Sequence, residues 1–123
     1  MAGLVHDMLE LSAQIKLYHW QTKVYARHKA SDSLFSEMND LIDKFVEVYI
    51  GKYERPTLAN SNKTLKLDNL NDAAMVTYIN RWVKYLQERI PEQINVVKDT
   101  DLLNIRDEML GLLNNTLYLF TLS

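Results

Sequence analysis

Apolar residues in the first part of the chain recur at alternating intervals of four and three, the spacing of one buried face of an α-helix. One such stripe predicts a first helix from about Gly3 to Thr22, on Leu4, Met8, Leu11, Ile15 and Tyr18. A second stripe predicts a helix that begins between His28 and Ser33 and ends near Gly51, on Leu34, Met38, Leu41, Phe45 and Val48.

Two further helices are predicted in the second part of the chain. The third follows the polar residues 69–71 and has two adjoining apolar stripes, Val76, Ile79, Val83, Leu86 and Ile90 beside Met75, Tyr78, Trp82 and Tyr85. Two stripes on one helix indicate contacts beyond the chain's own core. The fourth begins near Asp99 or Thr100, either of which can cap it, and carries Leu102, Ile105, Met109, Leu112, Thr116 and Leu119.

The stretch from Lys52 to Leu70 has no apolar period and is too long for a tight turn between antiparallel helices, which usually takes about 2–8 residues. A long crossover between the second and third of four helices is the connectivity of ferritin-like bundles. The sequence therefore predicts an all-α, ferritin-like four-helix bundle with a long crossover between helices 2 and 3. Residues 1–123 are expected to form one domain.

Composition narrows the possible chemistry. The chain has no cysteine, so any metal would be held by His, Asp or Glu, ligands that suit iron. The net charge of −2 is spread without a basic patch or Lys-rich tail, so nucleic-acid binding is not expected. No secretory signal or membrane-length apolar run is evident, which predicts a soluble, cytoplasmic protein with no membrane partner.

Potential metal ligands are concentrated around the second helix. Counted from His28 at about 100° per residue, Asp32, Asp43 and Glu47 lie near 40°, 60° and 100° around the helix axis. At about 1.5 Å per residue, Asp43 and Glu47 are nevertheless roughly 22–28 Å from His28. One chain cannot close such a site, but two chains related by a two-fold axis, with second helices antiparallel, would form two sites per dimer.

His19-Trp20, His28, Asp32, Asp43 and Glu47 together resemble the inter-subunit ferroxidase signature of the Dps mini-ferritins. This resemblance implies that His19, His28 and Asp32 of one subunit bind Fe(II) with Asp43 and Glu47 of another. It further implies oxidation of Fe(II) by peroxide or dioxygen, with storage of ferric iron in a homo-oligomeric shell. The interval between His19 and His28 is three residues shorter than the family's usual spacing, which leaves open a purely structural role for His19.

Other interpretations remain open. The segment from His19 to Tyr53 also looks similar to small uncharacterised proteins of large DNA viruses, and a viral source would place the chain in the virion. A non-enzymatic helical assembly protein with a degenerate metal site would keep the same fold. Asp43 and Glu47 could equally form part of a solvated helix face.

Overall fold

In the computed structural model, which describes residues 2–122, the protein is all-helical. Its α-helices are α1 (Ala2–Gln21), α2 (Tyr25–Lys52), α3 (Asp72–Glu88), α4 (Ile90–Gln93) and α5 (Thr100–Leu119). Short 3₁₀ turns occur at Asn60–Asn62 and Phe120–Leu122, and the described residues contain no strand. The predicted all-α class and the four long helices are confirmed. Met1 and Ser123 of the expected domain lie outside the described residues.

The long helices enclose a continuous apolar core. α2 packs against both α1 and α5, and α3 packs against α5. The core contains most members of the predicted stripes, including Leu4, Met8, Leu11, Ile15, Tyr18, Leu34, Met38, Phe45, Met75, Ile79, Leu86, Leu102, Ile105 and Met109. None of the helices in the described part of the chain is long and apolar enough to span a membrane.

The second helix begins at Tyr25, at least three residues before the predicted start. The chain reverses direction within residues 22–24, where the Thr22 Oγ1 accepts a hydrogen bond from the Val24 amide at 3.3 Å. Val24 occupies the N-cap position but has no side chain that can cap the helix. This start was missed because no capping residue marks it and because buried side chains appear only from Ala30 onward.

The aromatic stripe of α3 is largely covered by the chain itself, and the expectation that it makes contacts beyond the core stays a prediction. Trp82 is only 8% exposed. Tyr85 donates a hydrogen bond from its hydroxyl to Asp7 at 2.8 Å, and burial raises the pKa of Tyr78 to about 12. The helix also ends at Glu88, so Ile90, which was assigned to its stripe, lies in the short helix α4 beside Pro91.

Asp99 lies at the N-cap position of α5, as predicted, but its carboxylate does not cap the helix. This buried carboxylate instead accepts hydrogen bonds from the Tyr53 hydroxyl at 2.7 Å and from the Asn95 amide at 2.9 Å. The Lys52 ammonium lies 3.3 Å away. Asp99 therefore ties the end of α2 to the start of α5, a long-range role that a local capping pattern does not reveal.

The Asp99 cluster predicts acid sensitivity. Burial alone would raise the pKa of Asp99, but the Tyr53, Asn95 and Lys52 contacts outweigh burial and lower it below the usual value. A lowered folded-state pKa stabilises the protein above the unfolded pKa of about 4, and this stabilisation disappears as pH falls through the folded value. We expect the melting temperature to fall below about pH 4, and to fall less steeply in Asp99→Asn. Thermal unfolding followed by circular dichroism at several pH values would measure this, and identical pH profiles for the two proteins would contradict it.

Candidate metal centre

His19, in the last turn of α1, and His28, in the first turn of α2, are hydrogen-bonded to each other across the three-residue reversal, and we call this pair the histidine clasp. The His19 Nδ1 donates a hydrogen bond to the His28 carbonyl at 2.8 Å, and the His28 Nδ1 donates to the His19 carbonyl at 2.9 Å. The two imidazole rings are stacked, with centroids 3.9 Å apart and planes inclined by 18°. The buried Ser31 hydroxyl also donates to the His28 carbonyl. The short interval between the histidines therefore does not prevent their contact.

This clasp fixes the tautomer of both rings. A carbonyl oxygen can only accept a hydrogen bond, so each Nδ1 must carry a proton. In the neutral imidazole the Nε2 then keeps its lone pair, which is the atom available to a metal ion. Histidine ligands in proteins commonly have their second ring nitrogen held by a carbonyl in this way. The clasp is therefore compatible both with a structural role and with metal binding.

Asp32 is the acidic residue closest to the clasp. Its Oδ1 lies 3.9 Å from the His19 Nε2, which is beyond hydrogen-bond distance, and its side chain is 63% exposed. Because the lone pair of Nε2 lies in the ring plane, two nearly parallel rings do not converge on a single ion. Each imidazole of the clasp would thus serve its own ion unless one ring turned.

Asp43, Glu47 and His28 all lie on α2, as the angular spacing counted from His28 requires. Both acids are exposed, and neither carboxylate forms a hydrogen bond or ion pair with another described residue. They remain several helical turns from His28, at about 1.5 Å per residue. Across residues 2–122, no group of three or more His, Asp or Glu side chains is placed to hold a metal ion. Within one chain, the five predicted ligands are not brought together.

Comparison with known proteins shows that residues 19–120 match DUF5856, a family of unknown function. The chain belongs to this family. It is also 52% identical over 48 residues to an uncharacterized 14.6 kDa protein in the mobD-ri intergenic region of Enterobacteria phage T4. That match covers 37% of this chain and only 38% of the phage protein. No solved structure matches the chain.

The region shared with DUF5856 begins at His19 and contains all the predicted ligands. The family's description states no activity, and the phage relative is uncharacterized, so neither assigns a chemistry to the clasp. The matched phage protein agrees with the viral resemblance seen in the sequence.

Three side chains that the sequence analysis did not name as site residues form hydrogen bonds beside the clasp in this DUF5856 protein. Tyr18 precedes His19, Arg27 precedes His28, and both contact Asp72 at the start of α3. The Tyr18 hydroxyl donates to the Asp72 Oδ1 at 2.6 Å, and the Arg27 Nη1 donates to the Tyr18 hydroxyl at 3.1 Å and to the Asp72 carbonyl at 2.8 Å. The Tyr18 hydrogen bond is the main reason that the pKa of Asp72 is lowered. No local signal could have joined Asp72 to residues on α1 and α2.

The third histidine, His6, holds the connection between α2 and α3 of the DUF5856 chain against α1. His6 lies apart from the clasp, and its Nε2 donates to the Thr64 carbonyl at 2.7 Å. Nearby, the buried Gln14 amide both donates to the Asp68 carbonyl and accepts from the Asp68 amide, each at 2.9 Å. These contacts explain how a stretch without apolar periodicity is held against α1. They give His6 a structural role.

Proposed function

We propose that the protein is an iron-binding, mini-ferritin-like homo-oligomer that oxidises Fe(II) at sites shared between two chains and stores the ferric product. One chain contributes His19, His28 and Asp32, and its two-fold partner contributes Asp43 and Glu47. Neutral imidazoles and carboxylates are a suitable donor set for Fe(II) as a substrate. Peroxide or dioxygen would accept the electrons.

The histidine clasp is the observation that carries this proposal. Both Nδ1 atoms are committed to main-chain carbonyls, which leaves both Nε2 lone pairs available, and the His19 Nε2 lies 3.9 Å from the Asp32 Oδ1. Holding the rings in one orientation before an ion arrives reduces the entropy lost on binding. Asp32 and the two imidazoles thus form one half of a shared site, in which each parallel ring offers its Nε2 to a separate ion unless one ring turns, and the half that is missing is acidic.

The spacing of the acids along α2 supports completion by a second chain. The midpoint between His28 and Glu47 is also the midpoint between Asp32 and Asp43, and it lies near the middle of α2. A single two-fold axis through that point would therefore pair His28 with Glu47 and Asp32 with Asp43 at the same time. Two antiparallel copies of one straight helix satisfy both pairings without any change in the backbone.

The arrangement of the helices supports the ferritin-like class. Four long helices surround one core, and residues 53–71 form the long connection between α2 and α3. Ferritin-like folds place one long crossover at this point and build their metal sites from inward or subunit-facing helical side chains. Fold alone does not establish function, so the proposal depends on the clasp and on the acids.

A second candidate function is a non-enzymatic assembly protein of a DNA virus, located in the virion or in the cytoplasm of the infected cell. Leu9, 47% exposed, and Trp20, 68% exposed, share one apolar surface with Leu65 and Leu67, which favours this candidate because a contiguous exposed apolar patch commonly marks a protein contact. The similarity to a phage T4 protein gives it further support. Both candidates require self-association, and only the first requires iron.

Anaerobic titration of the purified protein with Fe(II), followed by addition of peroxide, would separate the two candidates. We expect saturable binding of at least about one Fe(II) per chain, because each chain supplies one half of each of two shared sites. Peroxide should then produce ferric absorbance that depends on the protein. Absence of saturable Fe(II) binding by an assembled oligomer would reject the iron function and leave the assembly role.

A further inference from the structure

A groove between α1 and α2 has no described side chain filling it. Its volume is about 420 Å³, and Val5, Met8, Leu9, Ile42 and Val46 form its apolar lining. Three polar residues complete the lining, namely Asn39, Asp40 and Asp43. An apolar floor with a small number of polar groups at the edge is typical of a binding groove.

Pairs of facing residues on α1 and α2 show where the groove lies along these two antiparallel helices. Val5 and Val46 line it together, Ser12 donates a hydrogen bond to Asn39 at 3.3 Å, and the Lys16 ammonium lies 4.7 Å from the centroid of the Phe35 ring. Residues further along α1 therefore face residues nearer the start of α2, as in any antiparallel helix pair. By this register, Trp20 at the end of α1 lies level with residue 31 of α2, far from the groove of its own chain.

The proposed two-fold axis changes that relation between Trp20 and the groove. An axis that pairs His28 with Glu47 and Asp32 with Asp43 brings residue 31 of one α2 level with residue 44 of the other. Trp20 then lies level with the partner's groove, within about one helical turn of Asp43 and Val46 in the partner chain. When the two α1–α2 faces stack against each other, α1 lies over α1, so Trp20 lies beside the groove that the partner's α1 borders.

We propose that Trp20 is the anchor of a two-fold dimer and inserts its indole into the groove formed by Val5, Leu9 and Val46 of a second copy. The inference rests on the two-fold pairing of the proposed function, but not on the site holding iron. The contact is reciprocal, so each dimer has two anchors. The indole N–H would find the Asp40 carboxylate at the edge of the groove as its acceptor.

The chemistry of Trp20 fits this role. It is 68% exposed in the single chain, although a tryptophan buries about 150–250 Å² when it is covered. Tryptophan is enriched among the residues that dominate binding energy at protein interfaces. Trp20 also directly follows His19, so insertion of the indole would close the apolar contact beside the histidine clasp. Assembly of the dimer and completion of the metal half-sites would then be one event.

Sedimentation of metal-free protein over a range of concentrations tests the anchor. We expect Trp20→Ala to raise the dimer dissociation constant at least about 100-fold, since two anchors are lost from each dimer. Leu9→Glu, which places a charge on the groove wall, should have a similar effect while Trp20 is intact. Tyr118→Ala removes a comparably exposed aromatic side chain, 59% exposed on α5, and should leave the constant unchanged.

Fluorescence provides a second measurement. In a Trp82→Phe background Trp20 is the single tryptophan, and its emission should shift to shorter wavelength as the concentration rises and the dimer forms. Emission typical of a water-exposed indole at every concentration, or wild-type assembly by Trp20→Ala, would overturn the anchor. Glu47→Ala should still dimerise and bury Trp20 while losing iron. A dimer with Trp20 buried but without iron binding would sustain the anchor and reject the iron function.

Discussion

His28→Ala and Glu47→Ala are each expected to abolish stoichiometric Fe(II) binding and peroxide-dependent ferric absorbance. His28 is the imidazole of the clasp that lies on α2, and Glu47 is the acid that the two-fold pairing brings to it. Loss of a ligand from a shared site removes both sites of a dimer, because every chain carries the same substitution. We expect residual oxidation below about one tenth of wild type, in line with the effect of losing a metal-site residue.

Glu37→Ala is the matched control for these variants. Glu37 is an exposed acid on α2, but at about 100° per residue it lies roughly 180° around the helix from His28. Its removal changes the net charge as Glu47→Ala does and should leave iron oxidation at the wild-type level. Equal losses in Glu37→Ala and Glu47→Ala would indicate a general charge effect and would argue against a specific site.

Phe45→Ala is expected to give the largest loss of stability among single changes in the core. The side chain is completely buried on α2, the helix that packs against both α1 and α5. Truncation of a buried phenylalanine costs about 3–5 kcal/mol, from lost apolar burial and the cavity that remains. Small domains unfold with about 5–15 kcal/mol, so the variant would lose a large share of its stability.

Urea unfolding followed by circular dichroism measures this change as a shift of the midpoint at constant slope. Tyr118→Ala, on the exposed surface of α5, is the control and should alter the free energy of unfolding by less than about 0.5 kcal/mol. A Phe45→Ala midpoint within experimental error of wild type would mean that α2 does not form the centre of the core. Such a result would also argue against a rigid, packed α2, on which the spacing of the metal-site residues depends.

The sequence predicted those features of the fold that depend on local periodicity. The stripes through Met8, Leu34, Ile79 and Met109 became buried faces of helices, and all four of these side chains are fully buried. Apolar stripes arise because one face of each helix must be removed from water. They can therefore be recognised in the sequence without knowing which elements pack against that helix. The break after Glu88 was less evident because Ile90 continues the apolar spacing although it belongs to another helix.

Contacts between residues distant in sequence could not be predicted in the same way. Asp99 satisfied the capping pattern, yet its carboxylate is bound by Tyr53 and Asn95. Likewise, Gln14 and His6 gave no sign that they hold the crossover, because their partners are main-chain groups with no side-chain signature. Such partners become known only when the path of the connecting chain is known.

The candidate site likewise has one part that local periodicity predicted and another part that depends on long-range contacts. Helical spacing was sufficient to place Asp32, Asp43 and Glu47 on one helix with His28 and to predict that a single chain would not close a site. The reciprocal hydrogen bonds between His19 and His28 were not predicted, because they depend on the tight reversal at residues 22–24 and on the early start of α2. The approach of Asp43 and Glu47 to the clasp in a second chain remains a prediction.

Mixing the two inactive variants tests most directly whether two chains build the metal site. In a heterodimer of His28→Ala with Glu47→Ala, one site lacks both residues and the other site keeps both. After dissociation and random reassociation, about one quarter of all sites should bind and oxidise Fe(II), although each variant alone has none. Recovery near that fraction is the result that a shared site predicts. No recovery from mixed chains that have demonstrably exchanged subunits would contradict it.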